Sequence, residues 1–398
     1  MVEHPRIIIS LTSYPARIHS VYKVIESLFL QIKKADKIIL WLSEQDFLQG
    51  KVELPVELLQ LEEKNGFCIR WVKENLKSHK KYFYVLQECP NDIVITVDDD
   101  MYYAKTMIST LLKSYVKHPN AISARNVHRI FRNGKEITPY LTWDGKPSEY
   151  IDVERMDLCA IGVNGILYPP RCSSEKWFDY EMIQDYAENQ DDLWLKYNEI
   201  LDNIPVVYTG VDENDVIIQE TQESVLYIKN AHEGGNDNCI KKLVRQVVGK
   251  DADIFHNWTN QLMPIDDYLL EREAFYRKMF RKFFDDYAGG NIYICGAGKF
   301  ASILLEAIEK FGGNTINIKA LLVSRISEIS LLRNVKIQEI SELNKEEAFT
   351  VLCGVSEKYK EEFKDIFSKY EMCEWIEFDI REIYDYIMIL RAVHENNK

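Results

Sequence analysis

The run Ile93-Val94-Ile95-Thr96-Val97, followed at once by Asp98-Asp99-Asp100, constrains this chain more than any other stretch. Five residues that are apolar or β-branched read as a strand buried on both faces. Ending such a strand in three adjacent carboxylates sets like charges side by side, and they repel unless a cation lies among them. In an open α/β sheet, the crevice beyond the carboxyl ends of the strands is where ligands bind. A divalent ion with oxygen ligands suits the cluster, because Mg²⁺ is usually held by one or two carboxylates plus substrate phosphates. An acidic turn or a helix N-cap would account for the same residues without chemistry.

Similar apolar runs stand upstream at Ile7–Thr12, Lys37–Ser43 and Phe67–Val72, separated by helical periodicity over residues 19–33 and 54–63. That β-α-β-α-β order with short links predicts a mostly parallel sheet flanked by helices. Beyond the aspartates, residues 105–117 read as a helix and residues 121–125 as a strand. Residues 126–158 are polar and carry the turn signals Asn133-Gly134 and Asp144-Gly145, so they are expected to form a substrate-shaping insertion outside the core. The core then resumes at residues 159–170, where Gly162 and Gly165 permit close approach of a ligand or a bulged strand.

With 398 residues, the chain is long enough for two domains. A formal net charge of −14 argues against a nucleic-acid partner, which would demand a basic face. It disfavours a broad polybasic membrane surface as well, while leaving room for a local patch. The eight cysteines include no CxxC pair and mostly sit in apolar runs, as buried reduced thiols do. No signal peptide and no bilayer-spanning run is read from the sequence. The expected location is therefore the cytoplasm, with any contact at the inner membrane face peripheral, and a homo-oligomer is not excluded.

Four further segments carry chemistry. Thr12-Ser13-Tyr14-Pro15-Ala16-Arg17 closes the first strand with small hydroxyls, an aromatic ring and an arginine, which suit a base and a phosphate; a plain β-to-α loop is the alternative. Asn75-Leu76-Lys77-Ser78-His79-Lys80-Lys81 is a basic cluster in an acidic chain, able to neutralise a diphosphate or simply to start a solvated helix. Asp191-Asp192 precedes an apolar helix; one acid is expected as its N-cap, leaving the other free as a base. His232 lies in a glycine-hinged polar loop, as a third metal ligand or a solvated side chain.

Taken in this order, together with Gly162-Val163-Asn164-Gly165, these segments make the first 265 or so residues resemble a bacterial GT-A-type glycosyltransferase, with a DxD motif on a nucleotide-binding sheet. The resemblance implies that Asp98 and Asp100, joined by His232, hold Mn²⁺ or Mg²⁺ against the diphosphate of a nucleotide sugar, most simply a UDP-sugar. It implies donor contacts from Thr12, Ser13, Tyr14 and Arg17, from Lys80 and Lys81, and from Asp98 and Asp99. Gly162, Asn164 and Gly165 would line the sugar pocket. Asp191 or Asp192 looks like the catalytic base of inverting members, deprotonating a glycan or lipid-linked acceptor in bacterial surface polysaccharide synthesis. A sugar nucleotidyltransferase shares this logic but usually opens with a glycine-rich phosphate loop, and no glycine occurs in residues 12–17. A non-catalytic nucleotide-sugar binding protein is the other alternative.

Residues 266–288 are charged and aromatic, and read as a helical linker. From residue 289 a strand, turn and helix begin again around Gly296-Ala297-Gly298-Lys299-Phe300-Ala301, a G-x-G-x-x-A pattern. Residues 289–398 resemble the small Rossmann-like domains fused to bacterial sugar-modifying enzymes. The strand at residues 318–323 ends in Ser324-Arg325 where a nicotinamide enzyme wants a ribose-binding acid, so a structural or nucleotide-sensing role is expected in place of a redox one. The fold class that emerges is α/β: a GT-A-type mixed sheet flanked by helices over residues 1–265, and a second, smaller α/β domain.

Overall fold

Alternate residues of the parallel strands face two different cores, and this alternation sets the architecture. The computed structural model describes residues 4–64, 66–145, 147–219, 230–231, 233–287, 290–312, 318–326, 331–344 and 346–396. Close contacts divide the chain into two units, Met1–Met263 and Pro264–Lys398. The first opens with β1 (Ile7–Thr12), α1 (Val21–Phe29), β2 (Lys37–Ser43), α2 (Val56–Glu62), β3 (Phe67–Val72), α3 (Lys80–Glu88) and β4 (Ile93–Thr96). Ile9, Leu11, Leu40 and Ile95 pack beneath α1, α2 and α4 (Met107–Lys117) in one core. Ile8, Ile39, Trp41 and Val94 point the other way, into a core built with α3 and the later helices. Strands this apolar on both faces need helices on both sides.

Two-residue β5 (Met101–Tyr102) follows the acids, and β6 (Ile122–Ala124) follows α4. Next come β7 (Val127–Arg129), the hairpin β8 (Arg132–Asn133) and β9 (Glu136–Ile137), β10 (Asp144–Gly145), β11 (Glu154–Arg155) and β12 (Leu158–Ala160). The unit closes with β13 (Ile166–Tyr168), α5 (Tyr180–Tyr186), α6 (Asp191–Leu201), β14 (Val206–Tyr208), β15 (Val216–Ile217), α7 (Gly235–Gln246) and α8 (Lys250–Gln261). The main sheet has eight strands in the order β11-β14-β6-β13-β4-β1-β2-β3. It is mixed: β1 pairs in parallel with β2 and β4, whereas β13 runs antiparallel between β4 and β6. The order reverses beside β1, so the loops after β1 and β4 face a common crevice, the switch point where ligands bind in such sheets.

Residues 126–158 overturn one expectation. Val127, Ile130, Trp143 and Leu158 are buried in the main core, and β7 is the centre of the three-stranded sheet β10-β7-β12. The segment reads as polar because part of its interior is ionic. Arg129 donates to Asp157 at 3.1 Å while its guanidinium lies over Phe131 and Tyr150. The helices are also shorter than their apolar spacing suggests. α1 stops at Phe29 and leaves Leu30 and Ile32 exposed, and Pro55 stands at the N-cap of α2.

The second unit contains α9 (Ile265–Asp286), β16 (Asn291–Cys295), α10 (Lys299–Phe311), β17 (Ile318–Val323), β18 (Leu331–Leu332) and β19 (Val335–Glu339). It ends with β20 (Phe349–Cys353), α11 (Glu357–Phe367), β21 (Cys373–Ile376) and α12 (Ile380–Asn396). Its sheet runs β18-β19-β17-β16-β20-β21, with every pair parallel except β18 and β19. β16 therefore sits at this sheet's own switch point. Gly296 turns there with φ +88°, and a Cβ on it would stand 2.6 Å from Val355. Among the described residues no helix is long and apolar enough to cross a membrane.

One buried ion pair ties the segment after β14 to the acidic strand end. Arg125 and Asp215 have wholly buried side chains, joined at 2.8 Å. Asp215 also accepts from the Ala104 N–H and the Asn164 carboxamide, while Arg125 donates to the Glu213 carbonyl. Pairing of β15 with β5 and a bond from the Ile218 N–H to the Asp100 carbonyl then fix the backbone beside the aspartates. Removing one member of a buried pair strands the other charge, at about 3–5 kcal/mol. Asp215→Ala is expected to lower stability by that amount in urea unfolding, whereas Asp92→Ala, which breaks the exposed pair with Arg6, is expected to cost less than about 1 kcal/mol.

Candidate functional site

A cavity of about 570 Å³ opens at the carboxyl ends of β1 and β4, within the range of small-ligand sites. The β1 loop contributes Thr12, Ser13, Tyr14 and Arg17 to its wall. Asp98 and Asp99 come from the turn just after β4, Lys80 and Lys81 from the start of α3, and Asp191 and Asp192 from the start of α6.

The three consecutive aspartates do not share one environment. Asp99 is buried, accepting from Ser13 Oγ at 2.6 Å and from Arg17 Nη1 at 2.8 Å. Asp100 meets the same Arg17 nitrogen at 3.0 Å through Oδ2, while its Oδ1 is buried without a hydrogen bond. Burial works against the Arg17 charge, but Asp99 and Asp100 reverse that and hold the guanidinium above its ordinary range. Burial dominates for the acids: it raises Asp99 despite Arg17, and with the neighbouring Asp98 charge it pushes Asp100 up to about 6.

Asp98 belongs to a second cluster. Lys81 Nζ stands 2.7 Å from Asp98 Oδ1 and 2.8 Å from Asp191 Oδ2, so one buried ammonium joins the end of β4 to the start of α6. Burial opposes that charge, and Asp191, Asp98 and Asp192 together overcome it, raising Lys81 well above its ordinary value. Asp192 accepts from the Gly162 N–H at 3.2 Å. A Cβ on Gly162 would lie 2.6 Å from Lys81 Nζ, so only glycine lets this backbone pass so close. The two adjacent acids are driven apart. Burial resists ionisation of Asp191, but the Lys81 ammonium brings it below the usual range, whereas burial and the Asp191 charge push Asp192 well above it.

The sequence placed both lysines at a diphosphate; here their ammonium groups are engaged by protein. Lys80 donates to Asn75 Oδ1 at 3.0 Å with Asp46 at 3.5 Å, and both lysine side chains are buried, not set on a solvated helix start. His79 is also buried. Its Nε2 faces the Ala187 carbonyl and so carries the proton, leaving Nδ1 to accept from Tyr82, and burial keeps the ring neutral. Neither Asp191 nor Asp192 is the N-cap of α6: Gln190 holds that position without a capping bond, and the acids occupy the first helical turn.

Of the expected sugar-pocket residues, Gly162 abuts Lys81 and Asp98, and its neighbours Ile161 and Val163 line the cavity. Asn164 turns away to Asp215, and Gly165, at φ +96°, faces Met107 of α4. Asp100 does not line the cavity either. His232 lies outside the described residues. Asp46, Tyr140, Asn189, Gln190 and Asn236 line the cavity without having been singled out in the sequence, and Asn75 figures there only as the edge of the basic cluster. Asp46 and Asn75 follow β2 and β3, so the strand-end rule applied to Asp98 would have found them.

Among the described residues, no three His, Cys, Asp or Glu side chains gather closely enough to hold a metal by themselves. The acids do fit an ion that brings ligands with it. Asp98 is the open carboxylate, with 29% of its side chain exposed, and Asp100, which does not line the cavity, keeps one buried oxygen, Oδ1, without a hydrogen bond. Two carboxylates completed by substrate phosphates is a donor set that Mg²⁺ accepts, and a cation there would relieve the burden that raises Asp100.

No protein-family model and no curated protein sequence matches the chain. Solved structures that overlap it include the mannosyltransferase PcManGT from Pyrobaculum calidifontis in complex with GDP-Man and Mn²⁺, at 11% identity over 65% of this chain and 69% of that one, with a TM-score of 0.40. TarS from S. aureus in complex with UDP overlaps at 11% identity over 63% and 68%, with a TM-score of 0.35. UTP-bound UGPase from Acinetobacter baumannii does so at 11% identity over 62% and 100%, with a TM-score of 0.33.

The raised Asp100 carboxyl makes stability depend on pH. Well below pH 3.8 it is protonated whether the chain is folded or not. Between the ordinary value of 3.8 and about 6, the folded protein keeps a proton that the unfolded chain releases, so stability falls as pH rises through that window. Asp100→Asn removes the effect. Thermal unfolding is expected to show it equal to wild type near pH 3 and more stable at pH 7, by about 3 kcal/mol.

Proposed function

We propose that this chain is a divalent-cation-dependent glycosyltransferase. It moves a sugar from a nucleotide-sugar donor, a UDP-sugar being the first to test, to a hydroxyl of a glycan or lipid-linked acceptor, with inversion at the anomeric carbon. Bacterial surface polysaccharide assembly is the setting that suits such a reaction. The observation that carries the reading is the convergence, around one buried ammonium, of a strand-end acid with an acidic pair whose affinities for a proton are pushed apart.

A bound Mg²⁺ or Mn²⁺ would be held by Asp98 and Asp100, with His232 as a further candidate, and would stabilise charge growing on the departing diphosphate. Thr12, Ser13 and Tyr14 form the wall for base and ribose. Arg17, anchored by Asp99 and Asp100, presents a fixed positive charge to the phosphates. Lys81 keeps Asp191 ionised and in place. Asp192 is then the base: it takes the acceptor hydroxyl proton as the oxygen attacks the anomeric carbon, and the sugar–phosphate bond breaks with its electrons leaving on the nucleoside diphosphate. Separated proton affinities in a carboxyl pair are the usual sign of divided roles. Asp98 is one of the charges that raise Asp192, so neutralising Asp98 lowers Asp192 toward a working range.

A thermal-shift panel of nucleoside diphosphates and nucleotide sugars, with and without Mn²⁺, tests this directly, because a ligand that binds only the folded state raises its stability. Mn²⁺ alone is expected to shift the wild type little, and one nucleotide with Mn²⁺ substantially. Asp98→Ala is expected to lose the Mn²⁺-dependent part. Asp192→Asn is expected to keep the shift and lose transfer by about 10²–10⁴-fold. A sugar nucleotidyltransferase would release pyrophosphate from a nucleoside triphosphate instead, and a binding protein would show the shift with neither transfer nor donor hydrolysis.

A further inference from the structure

The cavity has two chemically different ends, and only one is occupied by the reading above. Around the donor end stand Arg17, Asp46, Lys80, Lys81, Asp98 and Asp99, all ionisable. The remaining polar lining beside the acidic pair is made of carboxamides and one aromatic ring: Asn189 and Gln190, which directly precede Asp191, with Asn230, Asn236 and Tyr140. We propose that this second end is an acceptor subsite for the terminal ring of an uncharged glycan, seated on Tyr140 and read by the carboxamides. The proposal rests on the assignment of Asp192 as base and of the charged end to the donor.

The wall is built rather than incidental. Gln190 Nε2 donates to Asn230 Oδ1 at 3.0 Å, and Asn230 Nδ2 donates to the Asn189 carbonyl at 2.9 Å, which locks the segment just before the acidic pair. The Tyr140 N–H donates to Asp237 Oδ1 at 2.7 Å, and the Tyr140 ring is held 5.0 Å from Trp143 and 5.4 Å from His128. Asn236, 8% exposed, lines the same cavity one position before the Asp237 that fixes the Tyr140 backbone.

The chemistry of this wall selects its guest. A carboxamide offers both a donor and an acceptor, which matches a hydroxyl or an acetamido group. An aromatic face takes the C–H face of a pyranose ring. An anionic ring would meet Asp191 and Asp192, and among the described residues that line the cavity each cation is already matched by an acid, Lys77 by Glu188 at 2.7 Å. A bare alkyl chain would strip water from the remaining amide donors and acceptors of the wall without replacing their hydrogen bonds. A neutral, hydroxyl-rich ring answers each of these constraints.

The test uses the full chain and two readouts. In saturation-transfer NMR on donor-free protein, the methyl glycosides of glucose, galactose and N-acetylglucosamine are compared with that of glucuronic acid; at least one neutral glycoside is expected to bind, and the glucuronide is not. In transfer assays with the donor found by the thermal-shift panel, Tyr140→Ala is expected to raise acceptor KM tenfold or more and move donor KM less than twofold. Tyr140→Phe is expected to resemble wild type, and Asn236→Asp to weaken the neutral acceptor. An equal rise in donor KM for Tyr140→Ala, a preference for the glucuronide, or no glycoside contact with or without nucleotide would each overturn the proposal. Glycoside binding lost in Tyr140→Ala, in a protein that binds no nucleotide, would uphold the sugar subsite and overturn the donor assignment instead.

Discussion

The Lys81 ammonium is the contact on which the rest of this site depends. Water would solvate it far better than protein does, so it survives burial only because carboxylates from two separate elements reach it. Asp98 arrives at the end of a central strand, and Asp191 on the first turn of a helix more than ninety positions later in the chain. Gly162 comes from a third segment and must lack a side chain for the three to meet. Such an arrangement contributes little net stability, since desolvation offsets the attraction. It gives position instead: three segments have one arrangement in which no charge is stranded.

Arg17 plays the corresponding part on the other side of the acid motif. It shares one nitrogen between Asp99 and Asp100, so three aspartates that would repel one another are divided between two internal cations. The motif is therefore stable without any ligand, and the open carboxylate, Asp98, faces the cavity. The buried pair Arg125–Asp215 works one layer further out, holding the backbone that follows the acids. Charge in this unit is organised in nested pairs, each fixing the position of the next.

This nesting explains what the sequence could and could not disclose. Strands such as Ile7–Thr12 and Lys37–Ser43 are legible because both faces are apolar, a pattern that few other structures tolerate. The place of the acids at a strand end is local and equally plain. Lys80 and Lys81 are different: next to each other they look like a solvated basic patch, and only partners far along the chain bury them. Residues 126–158 mislead for the same reason, because Arg129 and Asp157 make a polar interior that resembles a loop on paper. Tyr140 and Asn236 carry no local signature; what makes them neighbours is the closing of the fold.

The passage of Gly162 against Lys81 divides the cavity into a part that tolerates redesign and a part that does not. Replacing Lys81 would strand acids on both a strand end and a helix start, so laboratory evolution that begins there disturbs the scaffold along with the chemistry. Tyr140 is held by Asp237, Trp143 and His128, and Gln190 and Asn230 are held by each other. New recognition properties are thus to be sought by randomising that wall first, with the ionic centre left as the fixed frame against which variants are compared.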